Sequence, residues 1–408
     1  MPESRARRSL KPAIWMILVT ALLDMMAMGI VMPVLPGLVE QLTGSLSAAG
    51  RWTGIIGSLW ALMQFLSAAV IGGLSDSHGR RPVILVSTAG LALDWVVMAL
   101  APNLWWLVLG RIIGGVTSAS ATALFAYMAD ITSPDKRARA FGLVGAVASA
   151  GFVAGPALGG VLGGWGPRLP FWVAAALSST AFLYGLFVLP ESLPPERRMA
   201  FAWRRANPVA ALGLLRLHHG LLGLAAGGFL LTFAQRLFMT VFVLFAGHRH
   251  HLAIISIGAL LAFSSVLDLL MQGVVVGPAT ARFGDRRVMV FGLTGMALSL
   301  LAMGFAPSAA WFVVAMIPSA CGGLAEPTIR SLMSRRVPET AQGRLQGAVQ
   351  SLASIAGIAG PVFFGWIYGL SSLAMPGLSF LIAAGILFVA ALCSAGATQD
   401  RVVELPHQ

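Results

Sequence analysis

Five ionisable residues stand inside long apolar runs: Asp24, Asp94, Arg111, Arg236 and Asp268. An Asp or Arg at the centre of such a run costs roughly 2.5–3.5 kcal/mol in a bilayer, so each needs a reason to be there. Burial favours the neutral form of a carboxylate, which lets a buried Asp take up and give off protons, while a cation arriving nearby favours the proton's release. Competition of that kind between a proton and a cationic solute is the chemistry of exchange. The same residues fit a structural reading: Asp24 and Asp94 in ion pairs or helix-to-helix hydrogen bonds, Arg111 holding a carboxylate ionised, and Asp268 and Arg236 neutralising each other. Gln64 and Gln235 are suited to orienting a bound molecule by hydrogen bonds. Trp60, Trp95, Phe238 and Met239 offer adaptable apolar walls or plain packing. No nucleophile triad, metal-ligand spacing or phosphate loop stands out, so neither an enzyme nor a metal site is expected. His248, His250 and His251 read as a solvated polar turn, with a surface metal site as the lesser alternative.

The elements that must hold these residues are membrane helices. Of 408 residues 57% are hydrophobic and 10% charged, more apolar than a water-soluble core requires. Spans of about 20 residues, the length that crosses ~30 Å of hydrocarbon, are read at 13–36, 52–74, 83–101, 105–129, 138–163, 169–190, 220–246, 252–278, 287–306, 308–329, 345–369 and 374–396. The net charge of +12 is explained by topology and implies no nucleic-acid partner: with a cytoplasmic N-terminus, 22 of the 27 Lys and Arg fall on the cytoplasmic side. Only Arg51, Arg168 and Arg249 fall outside, and Arg111 and Arg236 lie within spans. Both termini are therefore expected in the cytoplasm. The first apolar run, interrupted by Asp24, reads as an uncleaved span and not a signal peptide. Cys321 and Cys393 lie within spans and imply no disulfide framework.

An internal repeat orders the spans. At an offset of 205 residues, 137–160 align with 342–365 without a gap and share nine of 24 residues, among them Arg139/Arg344, Gly155/Gly360 and Pro156/Pro361. The same offset lays Gly72–Arg81 over Gly277–Arg286. The reading is an all-α membrane protein of twelve transmembrane helices in two six-helix pseudo-symmetric halves. It divides into a cytoplasmic N-terminus (1–12), a first half (13–190), a Pro- and Arg-rich cytoplasmic linker (191–219), a second half (220–396) and a cytoplasmic tail (397–408). Parallel repeats of this kind predict a central cavity between the halves, with access alternated by rocking.

Gly72, Asp76, Gly79, Arg80 and Arg81 have the types and spacing of a loop signature, echoed by Gly284, Asp285 and Arg286 in the second half. Glycine here lets helices approach and turns the chain, and Asp76 caps or pairs. The pattern resembles the second cytoplasmic loop of the major facilitator superfamily. That resemblance implies the major facilitator fold and a cluster that latches the cytoplasmic side in the outward-facing state, with Arg137 as the expected partner of Asp76. Ala154-Gly155-Pro156-x-x-Gly159-Gly160 in span 5 is similar to the superfamily's antiporter motif, though tight packing and a proline bend account for it equally. Asp130 and Glu326, at the ends of spans 4 and 10, are expected to cap or pair at the inner gate.

Leu22-Leu23-Asp24, Met32-Pro33-Val34-Leu35-Pro36, Ala61-Leu62-Met63-Gln64-Phe65, Gly110-Arg111-Ile112-Ile113 and Ala129-Asp130-Ile131-Thr132 follow in order and resemble the bacterial tetracycline/proton antiporters. The likeness covers nearly the whole chain and is strongest through residue 165. It implies that one of Asp24 and Asp94 helps bind a cationic drug, taken as a divalent-metal chelate, and that the other couples protons. Arg111 matches a basic position. Asp268 stands where the resemblance expects a histidine, and Met296 where it expects an aspartate. The implied function is drug export across the bacterial inner membrane in exchange for protons, by a monomer with no cofactor beyond the proton gradient. Proton-coupled movement of another metabolite, such as a sugar or siderophore, and a non-transporting membrane sensor are the competing readings.

Overall fold

The computed structural model describes residues 3–118, 120–199, 213, 219–338 and 341–398. Residues 200–212 and 214–218 of the expected linker and 399–408 of the expected tail lie outside them. Among the described residues there are helices and turns and no strand.

Among the described residues twelve helices are long and apolar enough to cross a membrane. They are α1 (Ile14–Thr43), α2 (Leu46–His78), α3 (Arg80–Leu100), α4 (Leu104–Ile131), α5 (Arg139–Trp165) and α6 (Leu169–Val188) in the first half of the chain. In the second are α7 (Gly220–Thr240), α8 (Ile254–Phe283), α9 (Asp285–Gly304), α10 (Ala309–Ser334), α11 (Gln342–Ser371) and α12 (Leu378–Ala397). Their outward residues are apolar, with Phe187 81% and Leu392 74% exposed, while Ser178, Ser379 and Ser394 are buried. That inversion suits a lipid surround, where small polar residues mediate helix-to-helix contact.

The repeat is visible in local chemistry. Asn103 Oδ1 accepts from the backbone N–H of Trp105 at 3.1 Å, and Ser308 Oγ, 205 residues on, accepts from Trp311 at 3.3 Å, so α4 and α10 start with matching caps. Gly79 (φ +105°) and Gly284 (φ +79°) occupy the left-handed region and turn the chain into α3 and α9.

Two compact units emerge, Met1–Asn207 with Ala253–Ala262, and Pro208–Leu252 with Phe263–Gln408. In the first, α1 runs along α5, α1 and α3 pack on α6, and α2 packs on α4. In the second, α7 runs along α11, α7 and α9 pack on α12, and α10 meets α8 and α9, which is the same pattern six helices on.

Two boundaries and the interior of one helix differ from expectation. α2 begins at Leu46, so Arg51 lies in its first turns and donates from Nη2 to Ser47 Oγ at 2.8 Å instead of standing in a loop. α7 stops at Thr240, whose hydroxyl donates back to Arg236 O at 2.9 Å, and a separate helix, Phe242–His250, follows. Within α8, Met271–Val275 forms a π turn just before Gly277 and Pro278, the latter lacking the N–H that a regular helix would use.

Candidate functional site

α3 and α4 meet at an ion pair. Arg111 Nη2 donates to Asp94 Oδ2 at 2.9 Å, with Asp94 fully buried and Arg111 7% exposed. The guanidinium also stands 4.8 Å over the Trp95 ring and touches the Met98 sulfur at 2.6 Å. Room for the carboxylate comes from two glycines one turn apart on α4. A methyl on Gly110 would lie 2.8 Å from Asp94 Oδ1, and one on Gly114 would overlap Oδ2. Gly110-Arg111-Ile112-Ile113-Gly114 therefore forms both the notch and its counter-charge. Arg111 thus holds a carboxylate by pairing, the geometry that both readings of it share. Asp94 Oδ1, Trp95 Nε1 and Arg111 Nε, all buried, make no hydrogen bond.

Asp24 is buried on α1 at 8% exposure. The α1 backbone beside it lies against α5, where added methyls on Gly151 and Gly159 would overlap Leu22 O and Ile30 O, and one on Gly155 would stand 2.5 Å from Gly29 Cα. The small residues around Pro156 thus serve backbone-to-backbone contact. Gln64 is held between helices: its Nε2 donates to Ser118 Oγ on α4 at 3.1 Å. Trp60 borders Gly115 of α4 with its backbone, and Trp95 is 4% exposed beneath Arg111.

In the second unit the expected Asp268–Arg236 pair is absent. Arg236 Nη1 contacts Met239 Sδ at 3.9 Å, its Nε is buried without a partner, and Asp268 is half-buried with no cation on it. Arg236 lies against Gly360 of α11, and Asp268 against Gly323 of α10. Glu326 accepts from Arg330 Nη2 at 2.9 Å, one turn along. Beside them opens a cleft with about 410 Å³ of atom-free space, walled by Phe229, Thr232, Met333 and Leu352. Asp268 lies one turn before the π segment of α8, and its backbone abuts Gly323, where a methyl would come within 3.2 Å of Asp268 O. Gln235 is half-buried and makes no hydrogen bond among the described residues, and Phe238 packs on Phe242 with ring centroids 5.6 Å apart. Met296 is 3% exposed and fills space against Gly322.

His248, His250 and His251 do not converge on one point. His250, 9% exposed, packs against the Phe245 and Phe312 rings at 5.3 and 4.7 Å, and its Nε2 makes no hydrogen bond. Among the described residues no group of three metal-ligating side chains gathers.

At one end of the first unit lies a charged cluster, and here the expected partner of Asp76 is corrected. Arg80 Nη1 donates to Asp76 Oδ1 at 2.6 Å and Arg80 Nε to Asp130 Oδ2 at 3.1 Å, whereas Arg137 is exposed and donates only to Thr132 O at 3.4 Å. The turn at Gly79 puts Arg80 at the head of α3, one turn from Asp76, closer than any residue of the next loop. Arg81 Nη2 donates to Leu186 O at 2.8 Å. The second unit repeats the Arg80–Asp130 contact with its signs reversed: Arg335 Nη2 donates to Asp285 Oδ2 at 3.1 Å, and both positions sit 205 residues on. Arg286 donates to Ala395 O at 3.3 Å, and Gly72 has open space around it. Sequence reasoning missed Arg335 as a partner, and missed Glu191, whose carboxylate accepts from the N–H groups of Arg80 and Arg81 at 2.8 and 3.2 Å. A lone acid directly after the span-ending Pro190 was the available signal for Glu191, and the repeat itself was the signal for Arg335.

The sequence profile of the Major Facilitator Superfamily matches residues 17–272 and 224–407. The chain is 38% identical over 377 residues to the class C tetracycline resistance protein of Escherichia coli, covering 92% of this chain and 95% of that one. To the class G tetracycline resistance protein of Vibrio anguillarum it is 36% identical over 370 residues, 91% of this chain and 93% of the relative. The crystal structure of the nucleoside transporter NupG superimposes with a TM-score of 0.77 at 16% identity, over 95% of this chain and 99% of that one.

Proposed function

The chain belongs to the Major Facilitator Superfamily, and from that premise we propose that it exports a tetracycline-like drug across the bacterial inner membrane in exchange for protons, by alternating access. Among its relatives are tetracycline resistance proteins matched over nearly their whole length. The observation that carries the exchange is the set of acids kept inside membrane helices, Asp24, Asp94 and Asp268, each against a cost of roughly 2.5–3.5 kcal/mol. They differ in their surroundings. Asp94 is clamped by Arg111, whereas Asp268 has no cationic partner and stands beside the only irregular turn of α8. Asp268 is thus the acid best placed to pass a proton, with Asp94–Arg111 setting the charge of the first half.

In this reading the cargo enters as a cationic divalent-metal chelate, the chain works as a monomer with both termini in the cytoplasm, and no other cofactor is needed. Drug accumulation in everted vesicles driven by a proton gradient tests it. Asp268→Asn is expected to lose gradient-driven accumulation by about tenfold or more while retaining drug binding. Full accumulation in that variant rules out Asp268 as carrier, and a wild type that moves no tetracycline rules out the export reading. Asp268 and Met296, where a histidine and an aspartate were expected, favour as second reading a proton-coupled carrier of a different small solute. A susceptibility panel of tetracyclines against unrelated cationic drugs separates the two.

A further inference from the structure

We propose that Glu191 is a positioning residue for transport: its carboxylate caps the N-terminus of α3 and straps the chain leaving α6 onto the Gly72–Arg81 turn. Its transport arm rests on the exporter reading; its structural arm does not. The first N–H groups of a helix have no partners within it and carry partial positive charge. In α3 a carboxylate 111 residues away in sequence answers them. Glu191 Oε1 accepts from Arg80 N–H at 2.8 Å and Oε2 from Arg81 N–H at 3.2 Å. Oε1 also accepts from the N–H groups of Ser192 and Leu193, both at 3.0 Å, which fixes the carboxylate on its own loop.

Gly79 leaves the space this requires. A methyl there would run into Oε2 of Glu191 and stand 3.1 Å from Nη2 of Arg198, beyond the strain its positive φ would impose. The same segment reaches every member of the charged cluster. Ser192 Oγ donates to Asp130 Oδ2 at 3.2 Å, the oxygen that Arg80 also holds. Met199 N–H donates to Asp76 O at 3.0 Å, and Pro190 O accepts from the Tyr127 hydroxyl of α4 at 2.9 Å. Residues 190–199 thereby gather the ends of α2, α3 and α4 into one frame, and Glu191 is the only group in it that serves two helix-start amides. It touches none of Asp24, Gln64, Asp94 or Arg111, so its loss should lower turnover and leave cargo affinity alone.

The test compares wild type with Glu191→Ala and Glu191→Gln in full-length protein. Hydrogen–deuterium exchange of the peptide holding Arg80 and Arg81 is read beside tetracycline/proton exchange in proteoliposomes. In Glu191→Ala that peptide is expected to exchange about tenfold faster while the middle of α3 is unchanged. Vmax should fall about tenfold with KM held within about twofold, and Glu191→Gln, which keeps the shape and one acceptor oxygen, should fall between. If Glu191→Ala does not fold, the near-isosteric Gln variant decides by the same readings. Unchanged exchange at Arg80–Arg81 overturns the cap. Faster exchange with wild-type Vmax, or a rise in KM at constant Vmax, overturns the role in turnover. A wild type inert toward tetracycline overturns the exporter reading and the turnover arm with it, and the exchange measurement, which needs no cargo, then still confirms or refutes the cap.

Discussion

Removing Arg111 alone would leave the Asp94 carboxylate buried against two glycines with no cation to answer it. Breaking one side of a buried pair costs about 3–5 kcal/mol, whereas replacing both sides by apolar groups of similar size is often neutral. Arg111→Met should therefore destabilise the protein strongly, and Asp94→Leu/Arg111→Met should recover most of the loss while remaining inactive in transport. Thermal melting of the detergent-solubilised variants checks this. Additive losses in the double variant would mean that the pair contributes no coupling. The chemistry of the notch follows from the types at 94, 110, 111 and 114, but only the fold reveals that Gly110 and Gly114 face the acid. The sequence did not say which acid Arg111 holds, because side chains 17 residues apart meet only when the α3–α4 hairpin sets their faces.

Helix by helix, hydropathy located all twelve spans, because a run of apolar residues long enough to cross a bilayer has no other stable use. It did not find the break after Thr240 or the π turn in α8, which depend on single hydrogen bonds and leave the apolar run intact. The helix beyond that break ends in His250, placed by its sequence neighbours in a solvated turn and by the fold against two aromatic rings. Burial, and then the charges of Arg249 and His251, hold its pKa below the ordinary value near 6.5. Above that value the imidazole is neutral in the folded and unfolded chain alike and contributes nothing to pH dependence. Below it the unfolded chain binds a proton that the folded protein resists, so stability falls with pH until the folded pKa is passed. Melting temperature measured from pH 7.5 down to about 5 should drop less in His250→Phe than in wild type, the difference developing below about 6.5. Parallel curves would show that His250 takes no part.

Across the molecule, the repeat carries an asymmetry that composition could not disclose. Arg80–Asp130 in the first unit becomes Asp285–Arg335 in the second, at the same 3.1 Å and the same offset. Each unit thus holds an opposite-charge pair at this point, whichever end is positive. The surroundings differ, however. Arg80 also holds Asp76, and the residue matching Asp76 in the second unit is the uncharged Ala281. Reversing the pair in the second unit, Asp285→Arg with Arg335→Asp, should thus restore what either single reversal loses. In the first unit the same reversal, Arg80→Asp with Asp130→Arg, sets a new carboxylate against Asp76, and like charges at that spacing on neighbouring turns repel. Recovery there should require the further change Asp76→Ala, which reproduces the second unit's arrangement. Drug accumulation in vesicles, read for the single, double and triple variants, decides the matter. Equal rescue by both double reversals would show that Asp76 imposes no constraint. Absence of rescue in either unit would show that each site depends on the sign of its charges, and that the likeness between the two pairs is geometric alone.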